Sequence, residues 1–176
     1  MNEQKPLLIV VAGPMGAGKT TFYDVHLKDA FPTLLPPVPH LREAVLREHR
    51  SFAVEDLSVD TELLESVRKA GYATKVIFIS TEDFNLNVGR ILIRMSQGGQ
   101  SVPLNAVPGS YEESMKSLPE ARTHADDVLV YDNTPDGKGH RLVVRFISGE
   151  LVRVTHSSPD WLKRLFGREM RAQSQR

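Results

Sequence analysis

The stretch VVAGPMGAGKTTFY, Val10 to Tyr23, decides the fold. Within it, Gly13-Pro14-Met15-Gly16-Ala17-Gly18-Lys19-Thr20 matches G-x-x-x-x-G-K-[ST] at every specified position. The apolar run LLIVVA, Leu7 to Ala12, precedes it and reads as a parallel strand buried on both faces. A helix is expected after it, from about Gly18 to Lys28. The glycines let successive backbone N–H groups curl onto an anion, and the helix N-terminus adds its partial positive charge. Lys19 can reach the β- and γ-phosphates of a nucleotide, and the Thr20 hydroxyl can ligate Mg²⁺. The expected nucleotide-binding set is Gly13, Pro14, Met15, Gly16, Ala17, Gly18, Lys19, Thr20 and Thr21, with ATP or GTP and Mg²⁺ as the species held.

Composition narrows the rest. At 176 residues the chain can bury a real core, and 40% hydrophobic with 25% charged residues is ordinary for a globular protein. Lysine plus arginine and aspartate plus glutamate number 22 each, which disfavours nucleic-acid binding through a broad basic field. The absence of cysteine removes thiolate chemistry and cysteine zinc sites. Leu7 to Ala12 is too short to span a bilayer and makes a poor signal core, so a cytoplasmic protein is expected.

Along the chain, strands and helices alternate. PTLLPPVPHL carries four prolines and argues against a regular central strand; a short helix around Leu41 to His49 follows. SFAVED, Ser51 to Asp56, reads as a short buried strand ending in two acids. Asp60 to Tyr72 is a helix with a cap at Asp60 and a stop at Gly71. TKVIFIST is the clearest buried strand. Ser80 and Asp83 have capping-box spacing, predicting a helix from near Glu82 to Met95. Another helix near Ser110 to Ser117, the strand DVLVYD and a terminal hairpin about Gly149 complete the pattern. The fold expected is α/β, a P-loop NTPase or kinase fold with a parallel sheet flanked by helices, a C-terminal β-hairpin and a short tail helix. Residues 1–158 form the expected kinase-like domain and residues 159–176 the tail, whose Trp161, Leu162, Leu165 and Phe166 with Lys163, Arg164 and Arg168 suit either a membrane-surface or partner helix or, as favoured here, a helix packed on its own domain.

Among the users of such a loop, a switch GTPase needs a guanine-reading N-K-x-D, and Asn133-Thr134-Pro135-Asp136 lacks the lysine. Met95 to Gln100 looks like the L-S-G-G-Q signature of transport ATPases, but carries an extra glutamine and closes a helix instead of opening one. Arg90 and Arg94 are four apart and share a helix face. They form either a solvated basic face or, beside a bound nucleotide, a clamp on the migrating phosphoryl group.

AGPMGAGKTTFY, SFAVED, RKAGYATKVIFIS, GRILIRMSQGGQSVP and ADDVLVYDNT together resemble the zeta-toxin family of P-loop kinases, over roughly Leu7 to Thr134. The paired arginines followed by GG-x-x-VP, with YDN ending a late strand, are its specific part. The resemblance implies an ATP- or GTP-dependent kinase for a hydroxyl of a nucleotide sugar, UDP-N-acetylglucosamine, acting as the toxin of a pair with an antitoxin protein as partner. It makes Arg90 and Arg94 the phosphate-clamping residues and puts Asp132-Asn133 near the nucleotide base. Three positions depart from the family pattern. Pro32 to Arg42 holds no acid where the family has an aspartate that activates the acceptor hydroxyl. Glu55-Asp56-Leu57 stands for E-T-T, and Gln100 replaces a histidine. Glu55 and Asp56 are therefore the candidate acids for a magnesium water or the acceptor proton, or else caps for the next helix. Side-chain alternation favours Glu55 as the one facing the site. The expected catalytic set is Lys19, Glu55, Asp56, Arg90 and Arg94, with Asn133 added to the nucleotide site and Thr20 as metal ligand. A nucleotide-binding interaction module that has lost transfer chemistry is the rival reading.

Overall fold

The computed structural model describes residues 5–134 and 139–174. Pro135 and Asp136 of the N-T-P-D run, and Gln175 and Arg176 of the tail, lie outside the described residues. In chain order the elements are β1 (Leu7–Ala12), α1 (Lys19–His26), β2 (Leu34–Leu35), α2 (Pro39–Arg47), β3 (Phe52–Asp56), α3 (Thr61–Lys69) and β4 (Ala73–Ser80). Then come α4 (Phe84–Ser96), a 3₁₀ turn at Leu104–Ala106, α5 (Val107–His124), β5 (Asp127–Asp132), β6 (Arg141–Ile147), β7 (Glu150–Val154) and α6 (Asp160–Ser174).

All strands join one sheet in the order β2-β3-β1-β4-β5-β6-β7. The first five are parallel and the β6–β7 hairpin is antiparallel, which is the expected α/β architecture. The proline-rich segment supplies only the two-residue β2, at the sheet edge, and Pro36 and Pro37 directly follow it. Strand alternation divides the core. Leu8, Val10, Phe78 and Val130 face one way, onto Leu64 of α3, Leu118 of α5 and Trp161 and Phe166 of α6. Ile9, Val11, Ile77 and Ile79 face the other way, onto Phe22 of α1. A kink at Phe166 (φ −125°) lets α6 bury Trp161, Leu162 and Phe166 together, with the Phe146 and Phe166 rings 4.9 Å apart. Burying each such side chain contributes about 2–3 kcal/mol. Among the described residues no helix is long and apolar enough to cross a membrane.

Element boundaries differ from expectation where caps and prolines were ambiguous. Asp83, not Ser80, caps α4, its carboxylate accepting from the N–H groups of Asn85 (2.7 Å) and Leu86 (3.3 Å). Ser80 is the buried last residue of β4. Helix α5 is far longer than Ser110 to Ser117. Pro108 lies in its first turn, where an N–H has no helical partner anyway, and Pro119 is tolerated inside it. Helix α2 likewise begins at Pro39 instead of Leu41.

Candidate functional site

β1 is the pivot of the sheet: the chain moves to β3 on one side of it and to β4 on the other, and ligands of open α/β sheets bind beyond the strand ends at such a point. Register brings the pieces together there. Ala12, the last residue before the loop, is level with Asp56 on β3 and Phe78 on β4, and Ser80 is level with Asp132 on β5. A cavity of about 310 Å³ opens at this edge. Its lining includes Gly16, Gly18, Lys19, Thr20 and Thr21 from the loop and α1, Glu55 and Leu57 from the end of β3, and Arg90, Ile91 and Arg94 from α4.

Lys19 opens α1 and is only 6% exposed. Its ammonium donates to the carbonyls of Gly13 (2.7 Å) and Pro14 (3.1 Å) and lies 3.9 Å from Glu55 Oε1. Burial lowers its pKa, the Glu55 and Asp56 charges oppose that, and Arg94 adds to it. The loop's own N–H of Met15 reaches the Ser110 hydroxyl on α5 at 3.3 Å.

The two arginines of α4 both reach the cavity, and Ile91, between them in sequence, lines it as well. Arg90 donates through Nη2 to the Asn133 carbonyl (2.7 Å), while its buried Nη1 has no partner among the described residues. Burial pulls its pKa down, Asp132 opposes this, and a guanidinium nevertheless stays charged. A buried cationic donor lacking a partner is costly unless an anion joins it. The GG-x-x-VP run serves the same wall. Gly99 donates its N–H to the Arg94 carbonyl (2.9 Å), and a Cβ on Gly99 would come within 2.7 Å of Arg94. The turn folds back tightly on α4, and Val102 joins the cavity lining.

The two acids of β3 part company. Glu55 lines the cavity, its side chain 32% exposed. Asp56 does not. Its carboxylate is held by Arg42 of α2 at 2.9 Å and by the N–H of Leu57 at 2.9 Å. This is alternation along a strand at work, and it leaves Asp56 engaged with Arg42 and off the cavity wall. Asp132 and Asn133 follow at the end of β5, outside the lining of this cavity. Asp132 is 3% exposed and accepts from Trp161 Nε1 (3.1 Å), the Thr134 hydroxyl (2.6 Å) and Arg141 (3.1 Å). The Asn133 amide donates to the Ala17 carbonyl of the loop (2.8 Å), and Asn133 does not line the cavity.

His140, one of six histidines that show no ligand spacing, is a neighbour of the phosphate loop that sequence reasoning missed. Its Nε2 lies 3.1 Å from the Gly18 carbonyl, and its ring packs edge-on to Phe22 at 5.2 Å. A carbonyl can only accept, so Nε2 carries the proton. No spacing signal links position 140 to position 18.

Oxygen ligands near the phosphate site suit a hard cation: the Thr20 hydroxyl and the Glu55 carboxylate line the same cavity. Among the described residues no group of three or more His, Asp or Glu side chains is arranged to hold a metal. Mg²⁺ characteristically binds through one or two protein groups plus phosphates and water, so the residues present fit it.

No protein-family model matches this chain, and no curated protein matches it. Solved structures do. A chain of the crystal structure of the AvrRxo1-ORF1:-ORF2 complex with ATP is similar over 93% of this chain, with a TM-score of 0.69 and 14% identity. The AvrRxo1-ORF1:AvrRxo1-ORF2 structure with sulphate ions gives 0.64 and 13% over the same share. The present chain spans 64% of the length of those AvrRxo1 matches. A chain from the PezAT chromosomal toxin–antitoxin system of Streptococcus pneumoniae aligns over 99% of this chain and 87% of its own, with a TM-score of 0.56 and 15% identity. At these identities the likeness is one of fold, and it agrees at that level with the resemblance to zeta toxins.

Proposed function

We propose that this protein is a P-loop kinase that moves the γ-phosphoryl group of ATP (or GTP) onto a hydroxyl of a small molecule. The observation that carries the reading is the convergence of Lys19, Arg90 and Arg94 with the carboxylate of Glu55 on one cavity at the loop. The three cations bear on the charge that spreads over the transferred group, and preorganised donors serve that charge better than water does. Glu55 accepts the proton of the acceptor hydroxyl as its oxygen forms the new bond to phosphorus, and the bond from phosphorus to the bridging oxygen breaks to release the nucleoside diphosphate. Thr20, with Glu55 through water, would hold Mg²⁺, which when bound neutralises charge on the β- and γ-phosphate oxygens.

The resemblance to zeta toxins supplies the finer terms. The acceptor is a nucleotide-sugar hydroxyl, as in UDP-N-acetylglucosamine, and an antitoxin protein is the partner. Lys19→Ala tests the reading. It removes one charge-assisted contact of about 1.5–3 kcal/mol, so ATP binding by calorimetry should weaken about tenfold or more and turnover should vanish, with melting unchanged or raised. A folded Lys19→Ala protein that binds and uses ATP like the parent would put the nucleotide elsewhere.

A further inference from the structure

Asn133 makes three hydrogen bonds to three different parts of the site. Its N–H donates to the Ser80 carbonyl at the end of β4 (2.8 Å). Its carbonyl accepts from Arg90 on α4 (2.7 Å), and its side-chain amide donates to the Ala17 carbonyl in the phosphate loop (2.8 Å). The loop is shaped to this contact: Gly18 has φ +99°, and a Cβ there would run into the Asn133 amide nitrogen. On either side the chain is anchored, Asp132 by Trp161 and Arg141, and Thr134 by the N–H of Glu82 (3.1 Å).

We propose that Asn133 is a positioning residue that sets the Arg90 guanidinium in register with the phosphate loop. This rests on the kinase reading above for its catalytic consequence, though not for its geometry. In a trans peptide the C=O and the following N–H point in opposite directions. Holding the Ala17 carbonyl on Asn133 therefore turns the Gly18 N–H the other way, away from Asn133. Release of that carbonyl lets the peptide turn over and present an oxygen where anion-binding N–H groups are needed. The same residue's own carbonyl fixes one arm of Arg90, whose other arm, Nη1, has no partner among the described residues. Loop and clamp thus share one brace, although 116 residues separate its two ends in sequence.

The test is a double-mutant cycle of Asn133→Ala and Arg90→Ala, since residues that act as a unit fail to add. It is read in Mg-ATP binding by calorimetry, in transfer rate, and in thermal melting without ligand. Asn133→Ala should lower transfer about tenfold in the parent but only about threefold or less when Arg90 is already absent. Asn133→Asp, of the same shape but lacking the donor, should lose at least as much as Asn133→Ala. Equal factors in both backgrounds, together with additive melting shifts, would overturn the brace while leaving the kinase reading intact. A parent that neither binds nor transfers, but whose melting shifts are non-additive, would sink the kinase reading and keep the brace.

Discussion

Glu55→Gln and Asp56→Asn, one position apart and equally conservative in shape, should fail in opposite ways. Glu55 lines the cavity 3.9 Å from the Lys19 ammonium and makes no closer polar contact in its ion pair, so neutralising it disturbs little packing. As the proton acceptor its loss should cut transfer about 10²- to 10⁴-fold, while affinity for ATP measured without Mg²⁺ changes little. Asp56 is tied to Arg42, whose side chain is 9% exposed and whose Nε is already buried without a partner among the described residues. Removing one member of a buried ion pair costs about 3–5 kcal/mol because the other charge stays behind. Asp56 itself is 19% exposed, which puts the cost at the lower end, about 3 kcal/mol. For a chain of this length each kcal/mol moves the melting temperature by about 2–4 °C, so Asp56→Asn should melt about 6–12 °C lower. Its transfer rate, measured well below that melting point, should stay within a few-fold of the parent. The assays are calorimetric melting and transfer of labelled phosphate. A chemistry-dead, fully stable Asp56→Asn beside a benign Glu55→Gln would refute the assignment of the two side chains.

Other outcomes follow from the same geometry. Arg90→Ala and Arg94→Ala should each lower kcat about 10²-fold and weaken ATP binding much less, since a clamp on the transferred group acts most in the transition state; unchanged rates would return both to a solvated face. His140 has its pKa lowered, chiefly by burial, with the Gly18 carbonyl opposing and His26 and Arg90 contributing. The stability it contributes is fully present above the ordinary value of 6.5 and is lost as pH falls through the lowered folded-state value. Melting of the parent should therefore drop on acidification below about pH 6.5 more steeply than that of His140→Gln, and parallel pH curves would remove His140 from the account. Trp161, the chain's one tryptophan, donates to Asp132 beside Asn133, so its emission should shift when Mg-ATP binds, and in Lys19→Ala only at about tenfold or more higher Mg-ATP.

The fold was legible because its signals are local. An apolar run, a glycine loop and a helix stand side by side in Leu7 to His26, and TKVIFIST can hardly be anything but a buried strand. The helix spacing of Arg90 and Arg94 was enough to place them on one face, and alternation was enough to favour Glu55 over Asp56. Signals that two local chemistries can satisfy are ambiguous. Ser80 and Asp83 can each cap a helix, and the choice fell to Asp83 because Ser80 is committed to the end of β4. Pro108 and Pro119 look like boundaries although one sits where no N–H is needed and the other is absorbed within α5. The contacts that brace the site were out of reach for another reason. Arg42 meets Asp56, His140 meets Gly18 and Asn133 meets Ala17 only because the sheet order brings distant segments together. Nothing in the spacing of those residues announces a partner.

Transfer itself separates a kinase from a nucleotide-binding module. The purified protein is incubated with γ-labelled ATP, Mg²⁺ and UDP-N-acetylglucosamine, then with a panel of other nucleotide sugars and small hydroxyl compounds, with Lys19→Ala run alongside. Label covalently attached to an acceptor hydroxyl is expected from the parent, and none from Lys19→Ala. If the parent binds ATP but the label never leaves it for any acceptor, the protein is a nucleotide-binding module and not a kinase.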